Sequence, residues 1–482
     1  LKPSVGVQEQ PHPCLAGASP AAAWHACASA TSMRRLTFAR QDSCSDSLKG
    51  SPTPRETDER SLGPSDELVA AAGRVSAQLL RDPLAAGPAA SNMNSTSIFQ
   101  TVRTADRAQL IKLAGRDKRA VRAMGAMVGM AVGDAIGSPL EFIPVGQAKS
   151  SFDPRGMKVA NPCNRFKLKP GQWTDDTSMG LCLADSLLVR GTYDGVDIRV
   201  RFWNWWNRGY NNAFRLEAGR SASVGLGGDV GASLQDVRNA YPRPRFDSPN
   251  TENAGNGSLV RLAPVPVFFH ADVDLAVKVC AESSLTTHPG RSAADACGFL
   301  GFVIIQAILR TGKRGQTAKD FLDACVEAYV ARPEAKNQDL LMRLLRSSEP
   351  QGSTELLWNW RDPRGPFLEE TLASRGSAYN GFPVSAGYMG GYSMDGLAMA
   401  MHSFYHTTSF TAALTRCVNL LGDADSTGSI CGQIAGAFYG VSAVDRRMVA
   451  NLNRWDGGEV ALRGALLYAL GARFPAERGA RL

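Results

Sequence analysis

The sequence lacks several patterns that would point to particular classes of protein. Among its 482 residues, no run of consecutive apolar residues reaches the roughly 18 that a membrane-spanning helix needs. The longest candidate, residues 293–309, is interrupted by Asp295 and Gln306, so the sequence predicts a buried helix there. Lysines and arginines outnumber acidic residues by 53 to 45 but form no dense block, so no nucleic-acid-binding surface is indicated. Alternation of Val, Ile or Thr with polar residues is nearly absent, which argues against a β-sheet fold.

The ten cysteines also lack a recognisable metal or disulfide pattern. None occurs in a C-x-x-C motif, and none is spaced with histidines as zinc sites require. Cys182, Cys297 and Cys431 lie within apolar helical patterns, where a free thiol behaves as a small apolar side chain. We therefore expect reduced thiols and a cytoplasmic protein.

Residues 1–100 are expected to form a disordered, low-complexity N-terminal extension. They are rich in Ser, Ala, Pro and Gly and bury too little apolar surface to offset the entropy of ordering. A short helix over residues 66–80 is the one exception that the pattern allows. No acidic residue occurs between Glu9 and Asp42, a stretch that contains several arginines and weakly resembles an organelle transit peptide. Organelle targeting is therefore the alternative to a cytoplasmic location.

Residues 105–476 are predicted to form one large all-α domain. Val121, Met124, Val128 and Val132 recur at the three- and four-residue spacing of a helix, and similar patterns cover several later segments. Long glycine-rich loops separate these segments, at 143–172, 209–258 and 347–390. Loops of this length inside a compact domain are usually functional.

Two stripes of glycine are the most unusual feature of the helical part. The first consists of glycines 125, 129, 133 and 137, and the second of glycines 428, 432, 436 and 440. A four-residue repeat places each set on one face of its helix. Each glycine destabilises a helix by about 0.8–1 kcal/mol relative to alanine, so something must compensate. Either two helices pack unusually closely along the stripes, or the stripes let the backbone approach a ligand or metal.

Three acidic clusters accompany the stripes. They are Gly133–Phe142, with Asp134 and Glu141; Gln172–Met179, with the motif T-D-D-T; and Gly422–Gly428, with the motif D-A-D-S-T. Carboxylates next to hydroxyls provide the oxygen ligands that Mg²⁺ and Mn²⁺ prefer. The competing interpretation is helix capping, because Thr, Asp and Ser before a helix also satisfy free backbone N–H groups.

Taken in order, these motifs resemble those of the ADP-ribosylglycohydrolase family, whose members include the enzyme that reactivates dinitrogenase reductase. The resemblance covers about residues 120–470. It includes G-x-x-x-G-D-A-x-G at 129–137 with Glu141, T-D-D-T-x-M at 174–179, and G-D-x-D-S-x-G-x-I-x-G at 422–432. The segments 255–261 and 286–288 are similar to family segments as well. The sequence departs from many members at Ser426, where they have threonine, and the hydroxyl is retained.

The resemblance implies an orthogonal all-α fold with two Mg²⁺ ions, for which Mn²⁺ could substitute. It implies the metal ligands Thr174, Asp175, Asp176, Asp423, Asp425 and Ser426. It implies substrate-binding roles for Asp134, Asn256, Gly257, Ser258 and His288. It implies catalytic roles for Glu141, Asp176 and Asp425. The glycine-rich segments 208–212 and 387–392 would lie near the adenosine or the distal ribose.

The activity that follows from the resemblance is Mg²⁺-dependent hydrolysis of the glycosidic bond between ADP-ribose and an acceptor. The acceptor would be a protein side chain or a small molecule, and the enzyme is expected to act as a monomer without nucleic acid or membrane. Two alternatives stay open at this point. One is a catalytically weak ADP-ribose-binding protein of the same fold, and the other is a Mg²⁺-dependent phosphohydrolase that cleaves the pyrophosphate.

Overall fold

Helices account for nearly all regular structure in the computed structural model, which describes residues 63–81, 92–217, 219–235, 237, 254–311, 315–349, 358–366, 368–375 and 387–473. These residues belong to one unit, Arg60–Leu482. The all-α fold class predicted from the sequence is confirmed. The exception in the described part is a two-stranded antiparallel hairpin, β1 (Ser151–Asp153) with β2 (Lys158–Ala160), inside the first long loop.

The helices of the described residues are, in chain order, α1 (Asp66–Ala77), α2 (Thr104–Ala114), α3 (Lys118–Gly137), α4 (Asp175–Arg190), α5 (Gly195–Arg208), α6 (Gly228–Gln235), α7 (Pro264–Phe268), α8 (Val273–Leu285), α9 (Arg291–Leu309), α10 (Ala318–Val330), α11 (Asp339–Arg346), α12 (Leu368–Arg375), α13 (Ser393–Tyr405), α14 (Phe410–Val418), α15 (Ala424–Tyr439), α16 (Arg446–Asp456) and α17 (Glu459–Gly471). Short 3₁₀ turns occur at Ser138–Leu140, Asn256–Ser258, Pro333–Asn337 and Val441–Ala443.

The two glycine stripes face each other at the centre of the molecule. Helices α3 and α15 run antiparallel, so that Gly129 lies against Gly432 and Gly125 against Gly436. At each of these positions a Cβ atom would overlap a backbone carbonyl of the opposite helix. Backbone contact of this kind is closer than the usual 8–10 Å separation of packed helices and requires glycine on both sides. The structure therefore favours the close-packing interpretation of the stripes.

The antiparallel pairing determines which helix ends meet. The C-terminal end of α3, with Gly137, lies against the N-terminal end of α15 at Ala424 and Asp425. The chain leaves α3 through the 3₁₀ turn Ser138–Leu140 and arrives directly at Glu141. The close packing of α3 and α15 therefore places the first acidic cluster next to the third.

Helix α9 is the buried helix predicted at residues 293–309. Two helical segments, Lys118–Leu140 and Arg291–Leu309, are long and apolar enough to cross a membrane, and 78% and 83% of their most apolar stretches are buried inside the protein. Helix α9 packs against α8 and α15. Both segments are therefore central core helices of this fold.

The folded part begins earlier than the sequence predicted. Helix α1 is capped by the Ser65 side chain, which accepts from the N–H of Leu68, and its apolar face packs against α2 and α17. Ile98 and Phe99, which also lie within the expected extension of residues 1–100, are fully buried. The short helix that the pattern allows over residues 66–80 is therefore present as α1, whereas the predicted boundary of the extension at residue 100 lies too far along the chain because α1, Ile98 and Phe99 pack into the core. Residues 1–62 and 82–91 lie outside the described residues.

We expect Gly432→Ala to prevent stable folding or to lower the free energy of unfolding by more than about 3 kcal/mol, because the new methyl group would overlap the backbone of α3. The matched control is Gly73→Ala in α1, where an added Cβ meets nothing within 4 Å. That substitution should be neutral or stabilise by up to about 1 kcal/mol. Urea denaturation measures both effects. Equal stability of the two variants would contradict the close contact of α3 and α15.

Candidate active site

The second and third acidic clusters occupy the N-terminal ends of α4 and α15. Thr174 is the N-cap residue of α4 and Asp423 that of α15, yet neither side chain makes a capping hydrogen bond to its own helix. The capping interpretation is therefore wrong for these two residues. Their side-chain oxygens are available for other partners.

Acidic residues from the distant motifs meet in one buried cluster. Oxygens of Glu141, Asp423 and Asp425 all lie within 4.8 Å of one another. These three carboxylates are at most 8% exposed. Such a concentration of carboxylates is unfavourable unless protons or cations compensate the charge.

The electrostatic state of these residues shows that the T-D-D-T motif belongs to the same cluster. Burial raises the pKa of Asp176 well above its usual range, and the charges of Asp175, Asp134 and Asp425 raise it further. Burial, followed by Asp423, Asp134 and Asp175, likewise raises the pKa of Asp425. Residues some 250 positions apart in the sequence therefore share one electrostatic environment.

Two carboxylate oxygens in the cluster lack a partner. Glu141 Oε2 and Asp176 Oδ2 are buried and accept no hydrogen bond. Buried polar atoms are nearly always satisfied, so each unpaired oxygen calls for a missing partner. The donor set consists of carboxylates and hydroxyls and contains no thiolate, and it fits a hard divalent cation such as Mg²⁺ or Mn²⁺.

Asp134 lies beneath the cluster and holds α4 in place. This fully buried carboxylate accepts hydrogen bonds from the N–H and hydroxyl groups of both Thr174 and Thr177, at 2.7–3.1 Å. Because the Thr174 hydroxyl donates its proton to Asp134, its lone pairs remain free for a cation. Both oxygens of Asp134 thus accept hydrogen bonds from α4, and substrate binding by Asp134 stays a prediction.

The turn Asn256–Ser258 lies beside the cluster, and its polar side chains hydrogen-bond other residues of the protein. Asn256 donates from Nδ2 to Asp423 Oδ2 at 2.6 Å and to the carbonyl of Gly390 at 2.9 Å. Ser258 is 1% exposed and accepts a hydrogen bond from Ser284, so its side chain points into the core. Direct ligand contact by the Ser258 side chain is therefore not supported.

Gly257 and His288 form a close pair on the same side of the cluster. A Cβ atom at Gly257 would lie 2.8 Å from Cε1 and 2.9 Å from Nε2 of the His288 ring. Burial and then the charge of Arg261 lower the pKa of His288 to about 3, so the ring is neutral at physiological pH. Gly257 is thus required by the packing of His288.

Tyr388 is a component of the site that residue-level reasoning missed. Its hydroxyl hydrogen-bonds Asp423, and its ring stacks on Phe142 with centroids 5.9 Å apart. Arg165 lies over the other aromatic ring of this pair, 5.0 Å from the Phe142 centroid. The glycine-rich composition of segment 387–392 signalled a functional loop, but it could not show that one tyrosine hydroxyl reaches Asp423.

The remaining metal-ligand candidates lie at the edge of the cluster. Ser426 hydrogen-bonds Asp423, as does Tyr388. Asp175 is half-buried and is covered by the loop before α6, where Gly225 has a φ of +90°. A side chain at Gly225 would overlap the Asp175 carboxylate. Ser426 therefore contacts the cluster directly, and the full set of six metal ligands stays a prediction.

Comparison with known proteins agrees with this geometry. Residues 115–478 match the family model described as ADP-ribosylglycohydrolase. The chain is 28% identical to ADP-ribosylarginine hydrolase Tri1 of Serratia proteamaculans over 67% of this chain and 73% of that protein. It is 29% identical to ADP-ribosyl-[dinitrogen reductase] glycohydrolase of Rhodospirillum rubrum, over 72% and 96% of the two chains.

A solved structure is similar as well. The chain resembles an ADP-ribosylglycohydrolase-related protein complex, with a TM-score of 0.51 and 28% identity, over 73% of this chain and 99% of the other. The family match covers most of the described helices together with all three acidic motifs. The chain thus belongs to the ADP-ribosylglycohydrolase family of enzymes.

Proposed function

We propose that this protein is a divalent-cation-dependent hydrolase that cleaves the glycosidic bond between ADP-ribose and an acceptor. The observation that carries the proposal is the buried carboxylate cluster in which Glu141 Oε2 and Asp176 Oδ2 lack partners. Family membership supplies the substrate class, since the named relatives act on ADP-ribosylarginine and ADP-ribosyl-[dinitrogen reductase].

The residues that would hold the cations are Thr174, Asp175, Asp176, Asp423, Asp425 and Ser426. Mg²⁺ bound there would supply positive charge for binding sugar hydroxyls and for lowering the pKa of a coordinated water. Asp134, Asn256 and Tyr388 support this ligand set from outside by hydrogen bonds to Thr174 and Asp423.

Glu141 is the best-placed acid in the cluster. Burial and the charges of Asp425 and Asp423 raise the pKa of its carboxyl group, and it hydrogen-bonds Asp425. A buried carboxyl group with a raised pKa is suited to donating a proton to the leaving acceptor as the bond to ADP-ribose breaks. Asp425, which hydrogen-bonds Glu141, and Asp176 are the carboxylates that would accept a proton from the attacking water.

Asp425→Asn should reduce release of ADP-ribose by about 100-fold or more, the range typical of losing an acid–base group. ADP-ribosylarginine with Mg²⁺ is the first substrate to test, followed by other linkages. The matched control is Asp274→Asn on the surface, which should leave turnover unchanged; its carboxylate is 81% exposed. Free ADP-ribose as product supports glycohydrolysis, whereas AMP and ribose phosphate would indicate the phosphohydrolase. Zn²⁺ as sole activator would contradict the oxygen-ligand argument.

Without a cation, the cluster should make stability depend on pH. The raised pKa values mean that the folded chain holds more protons than the unfolded chain. The free energy of unfolding contributed by these groups therefore falls as the pH rises from about 4 through the raised pKa values. Mg²⁺ should remove this loss by compensating the charge.

Thermal unfolding in EDTA and in Mg²⁺, at about pH 5 and about pH 8, tests this electrostatic coupling. We expect Mg²⁺ to raise Tm more at the higher pH. Asp425→Asn removes one charge and should raise Tm in EDTA at the higher pH while weakening the response to Mg²⁺. A Tm that is insensitive to Mg²⁺ at both pH values would show that the cluster does not bind the cation.

A further inference from the structure

A buried arginine without an acidic partner lies next to the candidate site. Arg261 is 1% exposed, and no carboxylate of the described residues forms an ion pair with it. Its guanidinium lies over the Phe202 ring at 4.6 Å and donates to Met179 Sδ at 3.4 Å. Burial lowers its pKa only to about 10, so the group is charged at neutral pH. A buried charge of this kind is costly and needs a specific reason.

The shortest hydrogen bond of Arg261 goes to Thr287, which in turn contacts His288. Arg261 Nη2 donates to Thr287 Oγ1 at 2.6 Å, and the same oxygen lies 2.7 Å from His288 Nδ1. A guanidinium can only donate, so Thr287 must accept from Arg261. The single hydroxyl proton of Thr287 then has one available acceptor among the described residues, which is His288 Nδ1.

The direction of this chain determines the tautomer of the histidine. When Nδ1 of a neutral imidazole accepts a hydrogen bond, the proton must reside on Nε2. The surroundings of Nε2 agree with this assignment. Asp229 Oδ2 lies 3.9 Å away and favours a proton on the facing nitrogen. Gly257 and Gly255 pack against the same side of the ring, where an added Cβ would lie 2.9 Å and 3.5 Å from Nε2.

We propose that Arg261 and Thr287 are positioning residues that fix His288 as its Nε2–H tautomer, so that Nε2 donates a hydrogen bond to an oxygen of the bound ADP-ribose. The identity of the ligand rests on the proposed function; the tautomer does not. The turn at Asn256 links the two parts of the site, because Asn256 contacts Asp423 while its neighbour Gly257 packs on His288. Nε2 therefore lies against the turn that borders the carboxylate cluster, with its proton already in place.

The arrangement gives the site a neutral hydrogen-bond donor, the His288 imidazole, instead of a positively charged imidazolium. The charge of Arg261 opposes protonation of His288, and burial opposes it further. A neutral donor binds a phosphate or hydroxyl oxygen without adding positive charge close to the cations that the carboxylates would hold. The buried arginine thus acts on the ligand only through Thr287 and the ring.

Nitrogen-15 NMR of histidine-labelled full-length protein in Mg²⁺ tests the tautomer directly, with His288→Gln used to assign the signal. We expect His288 at neutral pH to show the Nε2–H form. Thr287→Val removes the hydroxyl at similar volume and should produce a mixture of tautomers. Thr287→Ser should restore the single form. Thr286→Val is the control because Thr286 accepts a hydrogen bond from Arg261 at 3.4 Å but does not contact His288. A signal from the Nδ1–H tautomer or from imidazolium in the wild type would overturn the proposal.

Calorimetric titration with ADP-ribose in Mg²⁺ tests the consequence for the ligand. Thr287→Val should weaken binding about tenfold, as expected for one misdirected hydrogen bond, and Thr287→Ser and Thr286→Val should bind within about twofold of wild type. Unchanged affinity of Thr287→Val would overturn the role of the relay in binding. Failure of the proposed function would show differently: the wild type itself would not bind ADP-ribose, which would overturn the ligand assignment, while the NMR spectrum would still decide the tautomer.

Discussion

The contact between α3 and α15 is the constraint on which the rest of the site depends. Glycine carbonyls and α-carbons of the two helices meet without intervening side chains, and the C-terminal end of one helix lies against the N-terminal end of the other. The local cost of seven helical glycines is offset by burial of backbone against backbone over several turns, and the eighth, Gly440, ends α15 as its C-cap. Glu141 and Asp425 meet because this pairing has no freedom to slide or rotate.

The buried carboxylates of the site repel one another, and no cationic side chain described in the cluster compensates their charge. Helix pairing, the Asp134 contact and the turn at Asn256 force carboxylates together in a region from which water is largely excluded. Buried like charges raise one another's pKa, and the unpaired oxygens of Glu141 and Asp176 add to the penalty. Pre-organised oxygens that are unfavourable alone bind a hard cation strongly, since little further rearrangement is needed.

The sequence predicted the helical class, the stripes and the acidic motifs because each is a local pattern with its own periodicity or spacing. It could not show which side chains hold the acidic motifs in place. Asp134 bonds to a threonine 40 positions away, and Asn256 to an aspartate 167 positions away. The resemblance implied that both residues bind substrate. Their hydrogen bonds could not be predicted, because side-chain direction depends on tertiary packing. Helix α1 was underestimated for a similar reason: its partner α17 lies near the other end of the chain.

The glycine pairing also limits where this fold can vary. A single residue inserted into α3 or α15 would turn every following glycine by about 100° and set side chains against the opposite backbone. Length changes are therefore confined to connecting segments such as the one that carries the small hairpin β1–β2 and the one over Asp175. A scaffold of this kind keeps its reactive centre invariant while the surrounding loops are free to diversify toward different acceptors.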